Sequence, residues 1–281
     1  MNIIVSKYAG FCFGVKRAVN ITEQTLEKGK KVFSFGPIIH NNWVVKKLSD
    51  KGLKVVKSFT GRKKNDTIIL PSHGIDIKKI AKYPDMDFVD TTCPFVKKAQ
   101  NLIKELDETG YEILILGDKN HTEVKCFVNI SNGRARVFDN KKEIKAYKLK
   151  KRKAAFLSQT TQSVVKFKQM CEELLEKNCD ELRIFNTICM DSQNRQDEAR
   201  NIAGKADIVI VIGGKHSANT KRLAGVCAQL KKTYHIESED EIERSWFKGV
   251  KTVGIVTGAS TPGKFIERVR SRIKRLETEN A

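Results

Sequence analysis

The chain lacks any apolar run long enough to cross a bilayer. A membrane helix needs about 20 consecutive apolar residues, and the longest runs here are stretches such as Ile208 to Ile212. The amino end also lacks the basic segment, apolar helix and small-residue cleavage site of an export signal. We therefore expect a soluble protein of the reducing cytoplasm, with no membrane partner.

Aromatic residues are scarce, at 7% of the 281 residues, although Lys and Arg outnumber Asp and Glu by 53 to 33. The formal net charge of +20 indicates an anionic partner, either nucleic acid or a phosphorylated small molecule. Surfaces that bind single-stranded nucleic acids combine basic with aromatic residues. Basic runs such as Lys148 to Lys153 contain no aromatic residue. A basic nucleic-acid-binding protein with structural or redox-sensing cysteines is therefore the alternative function.

Seven cysteines are present, but no C-x-x-C motif. An odd number does not fit a complete disulfide framework, and a structural zinc site would need four ligands in paired short spacings. Free cysteine also packs well as a small apolar residue. We assign four of the seven to packing because they lie in helical or connecting stretches: Cys126, Cys171, Cys179 and Cys227.

Short apolar runs alternate with longer amphipathic stretches along the chain. The runs predict strands over residues 67–70, 87–89, 112–116, 154–157, 207–212 and 253–256. The stretches between them predict helices over residues 97–109, 163–178, 194–205, 220–231 and 262–277. Strands and helices in alternation predict an α/β fold with largely parallel sheets.

Cys12, Cys93 and Cys189 each follow an apolar strand and precede a polar helical stretch. They are about 90 residues apart, which indicates a degenerate repeat present three times. Ligands gather at the carboxyl ends of parallel strands, so three such ends would place three thiolates together. Three cysteines would leave one iron of a 4Fe-4S cluster open to a substrate oxygen.

Four of the five histidines also lie in loops at predicted strand ends: His40, His73, His121 and His216. Such a histidine either caps a helix, faces solvent, donates to a phosphate or ligates a metal. Glu123, in the same loop as His121, is placed to act as a general acid. The H-x-E spacing also occurs in zinc nucleobase deaminases, but their P-C-x-x-C partner is absent.

The segment from Gly213 to Thr220 follows an apolar strand and has the composition of an anion-binding loop. Its glycines allow close backbone approach, and Ser217 and Asn219 add donors at a helix start. Ser260 and the pair Thr160-Thr161 lie at other strand ends. A plain helix cap is the alternative interpretation in each case.

Eight ordered motifs together resemble one known family. They are Gly10–Val15, Gly36–Asn41, Ser72–Gly74, Asp90–Pro94, His121–Val124, Gln159–Thr161, Thr187–Cys189 and Gly258–Ser260. Over almost its whole length the chain resembles the 4-hydroxy-3-methylbut-2-enyl diphosphate reductases, which catalyse the last step of the non-mevalonate isoprenoid pathway.

The resemblance implies a trefoil of three pseudo-symmetric α/β lobes, with small, mostly parallel sheets around a central 4Fe-4S cluster. Cys12, Cys93 and Cys189 would hold the cluster and leave one iron without a cysteine. The lobes would span residues 13–94, 95–188 and 189–281, and the N-terminal strand 1–12 would join the third.

The resemblance also implies reductive dehydroxylation of an allylic diphosphate to isopentenyl diphosphate and dimethylallyl diphosphate, with two electrons from ferredoxin or flavodoxin. Glu123 and Thr160 would serve the substrate hydroxyl and its proton relay, with Thr161 as the alternative to Thr160. The diphosphate would be bound by three histidines and four residues at strand ends: His40, His73, His121, Ser217, Ala218, Asn219 and Ser260.

Three positions depart from the family's usual pattern. Ala218 lies where a second serine is usual, His216 replaces a common asparagine, and Thr122 replaces a frequent proline. Ala218 removes one hydroxyl donor. We therefore expect weaker or differently arranged diphosphate contacts, without loss of activity.

Overall fold

The computed structural model describes residues 1–29, 31–58, 60–61, 66–75 and 80–278. The strands in these residues are β1 (Asn2–Val5), β2 (Val32–Phe35), β3 (Lys54–Val56), β4 (Thr67–Leu70), β5 (Asp87–Asp90), β6 (Glu112–Leu116), β7 (Arg136–Phe138), β8 (Lys153–Ser158), β9 (Glu181–Ile184), β10 (Ile208–Ile212), β11 (Lys232–Ile236) and β12 (Thr252–Thr257). The helices are α1 (Phe13–Leu26), α2 (Asn42–Asp50), α3 (Pro94–Glu108), α4 (Thr122–Ile130), α5 (Lys141–Ala146), α6 (Val164–Leu175), α7 (Met190–Lys205), α8 (Ala218–Ala228) and α9 (Gly263–Thr278).

The described strands form three parallel sheets of four strands each. The predicted α/β fold with small parallel sheets is therefore confirmed. The six predicted strands and five predicted helices are all present, with ends that differ by a few residues. The buried apolar runs explain this success, because β6 and β10 are buried along their whole length, as expected for strands covered on both faces.

One strand order recurs in all three sheets. In two of them the chain supplies four successive strands, which lie in the orders β3-β2-β4-β5 and β7-β6-β8-β9. The remaining sheet has the order β11-β10-β12-β1. Here β1 takes the place of the fourth strand and pairs in parallel with β12, Asn2 lying opposite Thr252. The lobe boundaries stated above stay a prediction.

Chain contacts divide the protein into two compact units. The first unit comprises residues 1–16, 39–47 and 190–281, and the second comprises residues 17–38 and 48–189. The first unit contains the sheet with β1, and the second contains the other two sheets. Within the described part of the chain, no helix combines the length and apolar character that a membrane span requires.

The expected position of Glu123 in a loop was wrong. Glu123 lies in the first turn of α4, and His121 is the N-cap residue of that helix. The first turn of a helix favours an acidic residue because the macrodipole is positive there. Six consecutive polar residues, Asp118 to Glu123, gave the segment the composition of a loop.

Candidate active site

Each of the three cysteines of interest follows the fourth strand of its sheet and directly precedes a helix. Cys12 precedes α1, Cys93 precedes α3 and Cys189 precedes α7. All three are partly buried, and no disulfide links any of the seven cysteines, which all lie in the described residues. The N-terminus of a helix favours the thiolate form. The sequence prediction that these cysteines lie between strand and helix is confirmed.

A backbone hydrogen bond ties each cysteine to the loop after the third strand of its own sheet. In the second unit, the Cys93 N–H donates to the Ser72 carbonyl (2.9 Å) and the Cys189 N–H donates to the Thr160 carbonyl (2.8 Å). In the first unit, the Cys12 N–H donates to the Ala259 carbonyl (3.0 Å). The same linkage therefore occurs three times.

Burial and nearby groups together set the charge preference of the Cys93 thiol. Burial raises the pKa of the Cys93 thiol above its ordinary value, and the backbone N–H groups of Phe95 and Val96 offset part of this effect. Glu123 also raises the Cys93 pKa, because a nearby carboxylate opposes a second negative charge. In the first unit, the Val15 N–H donates to the Cys12 Sγ at 3.4 Å.

Glu123 and Thr160 form a buried pair in the second unit. The Thr160 backbone N–H donates to Glu123 Oε1 at 2.7 Å, and the Thr160 hydroxyl donates to Glu123 Oε2 at 2.9 Å. Their exposed fractions are 2% for Glu123 and 5% for Thr160. The alternative interpretation as a helix cap does not apply to Thr160, since Ser163 caps α6.

His121 is oriented by the helix that it caps. The Glu123 N–H donates to His121 Nδ1 at 3.2 Å. A neutral ring that accepts at Nδ1 carries its proton on Nε2. The ring position of His121 is therefore fixed by α4, with Nε2 as its donor nitrogen.

His73 follows β4, and its loop requires a glycine. Gly74 has a positive φ of 82°, and a Cβ there would lie 2.4 Å from Gln100 Nε2. His73 is 8% exposed and lines a cavity of about 330 Å³ together with residues such as Thr122 and Lys125. The loop thus holds an imidazole against a space large enough for a small ligand.

His40 and Ser260 come together in the first unit. The Ser260 hydroxyl donates to the His40 carbonyl at 3.1 Å, and Asn41 Nδ2 donates to the Ser260 carbonyl at 2.8 Å. Gly214 packs against the same segment, because a Cβ there would lie 3.3 Å from the His40 carbonyl oxygen. Burial lowers the pKa of His40. The imidazole is therefore neutral at pH 7.

Ser217 caps α8 by accepting a hydrogen bond from the Thr220 N–H. Ala218 is the first residue of that helix, and Asn219 is 6% exposed. Neither amide atom of Asn219 has a hydrogen-bond partner among the described residues. A buried amide without a partner is costly. The helix start therefore offers an amide and backbone N–H groups that suit an oxygen-rich anion.

The buried Arg195 was missed by the sequence reasoning. It is 3% exposed, donates to the Gly10 carbonyl (3.1 Å) and the Thr257 carbonyl (3.3 Å), and pairs with Asp191. Its hydrogen bond to Gly10 therefore stabilises the loop that leads to Cys12. The only available signal was the spacing of Asp191 and Arg195 by four residues, which surface helices also show.

No group of three or more His, Cys, Asp or Glu side chains in the described residues is arranged to hold a metal ion. Cys12 belongs to the first unit, and Cys93 and Cys189 belong to the second. A shared ligand set of these three cysteines therefore stays a prediction.

A family model described as "LytB protein" matches residues 3–274. The chain belongs to the LytB family. Among curated proteins, it is 45% identical to the 4-hydroxy-3-methylbut-2-enyl diphosphate reductase of Geobacter metallireducens, with 99% of each chain covered. It is 42% identical to the protein of the same name from Pelobacter propionicus, with 100% of each chain covered.

Two solved structures are similar to this LytB-family chain. One is described as (E)-4-hydroxy-3-methyl-but-2-enyl diphosphate reductase, the terminal enzyme of the non-mevalonate pathway. It has a TM-score of 0.70 and 38% identity, and the match covers 98% of this chain and 100% of that chain. The other is the reductase from Plasmodium falciparum, with a TM-score of 0.88 and 24% identity. The match covers 98% of this chain and 87% of that chain. The second similarity concerns the fold alone.

Proposed function

We propose that this LytB-family chain is a 4-hydroxy-3-methylbut-2-enyl diphosphate reductase. It converts the allylic alcohol diphosphate to isopentenyl diphosphate and dimethylallyl diphosphate at the end of the non-mevalonate pathway. The substrate C–O bond breaks, two electrons and two protons enter, a C–H bond forms, and water leaves. The observation that carries the proposal is the buried Glu123–Thr160 pair next to Cys189.

Three cysteine thiols fit a 4Fe-4S cluster with one iron that lacks a cysteine ligand. Thiolates are the normal protein ligands of such clusters, and Cys12, Cys93 and Cys189 each stand at a helix start that favours the thiolate. When bound, this cofactor supplies single electrons and a Lewis-acidic iron that polarises a hydroxyl group. Such thiols and clusters persist in a reducing compartment, so we propose a cytoplasmic location.

Glu123 supplies the proton that leaves with the substrate hydroxyl. The protonated carboxyl donates to the Thr160 hydroxyl, whose own proton then passes to the substrate oxygen. The geometry favours this relay because the Thr160 hydroxyl lies 2.9 Å from Glu123 Oε2. The fixed backbone bond to Oε1 keeps the carboxyl oriented during the transfer.

The diphosphate is bound by imidazoles, hydroxyls and helix N–H groups rather than by lysines. In the first unit the proposed contacts are His40, Ser217, Ala218, Asn219 and Ser260, where Ala218 contributes only its backbone. In the second unit they are His73 and His121, while Thr160 contacts the substrate hydroxyl. The amide of Asn219 supports this role because it is buried without a protein partner.

The electrons come from ferredoxin or flavodoxin. An anaerobic turnover assay tests the proposed function: reduced one-electron donor is mixed with the substrate and the two products are separated. We expect brown protein, both products, and loss of activity in Cys93→Ser. A colourless, iron-free protein that binds RNA tightly would instead support a nucleic-acid-binding function.

A further inference from the structure

An exposed bulky apolar side chain follows each of the three cysteines. Phe13 comes directly after Cys12, Met190 directly after Cys189, and Phe95 two residues after Cys93. Their exposed fractions are 63%, 62% and 45%. Single exposed apolar residues are common on protein surfaces, but their recurrence at all three helix starts links these positions to the cysteines.

Two of these residues share a helix face with a lysine. Phe13 and Lys16 are three residues apart on α1, and Phe95 and Lys98 are three residues apart on α3. Residues at this spacing are neighbours on a helix surface. All four are exposed. We call these two pairs the Phe–Lys faces.

Further basic residues surround the Phe–Lys face of α3. A groove of about 490 Å³ in the second unit is lined by Lys97, Lys98 and Arg17, and also by Asp90 and Glu105. Lys97 pairs with Asp90 at 2.6 Å. The groove therefore keeps a net positive charge beside Cys93.

The lysines of the Phe–Lys faces lie near the N-termini of their helices. Lys16 closes the first turn of α1, and Lys98 begins the second turn of α3. A cation near a helix N-terminus opposes the macrodipole, and neither helix has an acidic residue in its first turn. Their placement is explained if the positive charge attracts an anionic partner.

We propose that the Phe–Lys faces are contact surfaces for an acidic one-electron carrier protein. This inference rests on the proposed function, which consumes two electrons that the substrate cannot supply. The carrier is oxidised by one electron at each of two encounters. Electron-transfer encounters use small interfaces, and complementary charge speeds them in a salt-dependent manner. On each Phe–Lys face the Phe offers the carrier an apolar contact, and the Lys attracts its acidic surface.

The test compares Lys98→Glu and Phe95→Ser with a matched pair of control variants. Val165 and Lys168 lie three residues apart on α6 in the same unit, are both exposed, and follow no cysteine of the proposed ligand set. Lys168→Glu and Val165→Ser therefore change the same kind of surface elsewhere. Iron content is measured for every variant to verify equal cluster loading.

Two reductants separate docking from catalysis: a reduced acidic bacterial ferredoxin, and reduced methyl viologen, which needs no protein contact. We expect Lys98→Glu to raise the KM for ferredoxin about tenfold at low salt, with a smaller effect at high salt. Turnover with viologen stays at the wild-type level, and the control variants behave as wild type. Equal losses with both reductants, or equal effects in the controls, would overturn the proposal.

Binding of ferredoxin measured by calorimetry gives a second readout that does not depend on turnover. Wild-type protein should bind ferredoxin more tightly than Lys98→Glu does, and added salt should reduce the difference. If ferredoxin binds in this way but neither reductant supports turnover, the docking surface stands and the proposed function fails. If Lys98→Glu changes only the sedimentation of the protein alone, the face mediates self-association and the docking proposal fails.

Discussion

Thr160 donates two hydrogen bonds to one carboxylate, that of Glu123. The hydroxyl donates to Glu123 while Oε2 carries no proton, and the direction reverses when Oε2 is protonated. A proton can therefore pass through this pair without movement of either side chain. Because the Cys189 N–H donates to the Thr160 carbonyl, the same backbone segment also fixes the cysteine.

Replacement of Glu123 by Gln should leave substrate binding largely intact and lower turnover by about 10²-fold to 10⁴-fold, as expected for loss of a general acid. The measurement is anaerobic steady-state kinetics with reduced methyl viologen. Glu112→Gln is the control, since Glu112 is also buried in the second unit but accepts from Tyr147 and from the Lys150 N–H. The control should lower stability and leave turnover unchanged. Wild-type turnover in Glu123→Gln would exclude the acid role.

Thr160→Val should lower turnover, whereas Thr160→Ser should retain most of it. Valine removes the hydroxyl but keeps the backbone N–H that donates to Glu123, so the carboxylate loses one of its two bonds from Thr160. A buried acceptor that loses a partner costs about 1–3 kcal/mol, and the relay is interrupted as well. If both variants have equal kcat values, the hydroxyl does not transfer the proton.

Asn219→Leu should weaken diphosphate binding without destabilising the protein. The buried amide has no partner among the described residues. An apolar side chain of similar size therefore removes the desolvation cost of the amide, about 1–3 kcal/mol. Thermal unfolding with and without inorganic diphosphate measures both effects. We expect an unchanged or higher Tm without the anion and a smaller rise in Tm with it. A lower Tm in the absence of anion would show that the amide stabilises the fold.

Gly258→Ala should destabilise the protein, because a Cβ at this position would lie 2.1 Å from the Thr220 hydroxyl oxygen. Overpacking of this kind costs about 1–3 kcal/mol. Thr220→Ala removes the opposing hydroxyl, so the double variant should recover part of the loss. The check is a double-mutant cycle by urea denaturation. Additive effects of the two substitutions would mean that this contact is not the cause.

The pH dependence of stability should report the burial of His40. Burial lowers the pKa of His40 in the folded protein below the ordinary value of 6.5. The unfolded chain therefore binds a proton first as the pH falls, and stability decreases below pH 6.5 until the folded pKa is passed. The slope for one proton is at most about 1.4 kcal/mol per pH unit. His40→Gln should show a shallower decrease than wild type in denaturant titrations between pH 7 and pH 5, and an identical slope would contradict this origin.

The candidate site residues could be predicted from the sequence because ligands bind at the carboxyl ends of parallel strands. Buried runs such as Ile208–Ile212 fix the strands, and residues such as His73 and Ser260 follow those strands directly. No local sequence pattern shows which distant carbonyl will accept a hydrogen bond from a given backbone N–H. The bond from Cys12 to Ala259 was therefore not foreseen.

The helix around Glu123 was missed for a different physical reason. Its first turn is polar, and its cap is a histidine rather than one of the commoner capping residues Ser, Thr, Asp and Asn. Arg195 was missed because a buried arginine and an exposed one have the same sequence pattern. Its burial depends on the Gly10 and Thr257 carbonyls, which lie far away in the chain.

The pairing of β1 with β12 sets the order of events during synthesis on the ribosome. β1 leaves the exit tunnel first, but its partner is translated about 250 residues later. The two sheets of the second unit need no such delay, since each is built from strands that follow one another in the chain. Cys12 reaches its position beside Ala259 only after β12 is made. A cluster held in part by Cys12 in this position would therefore be completed only after β12 is translated.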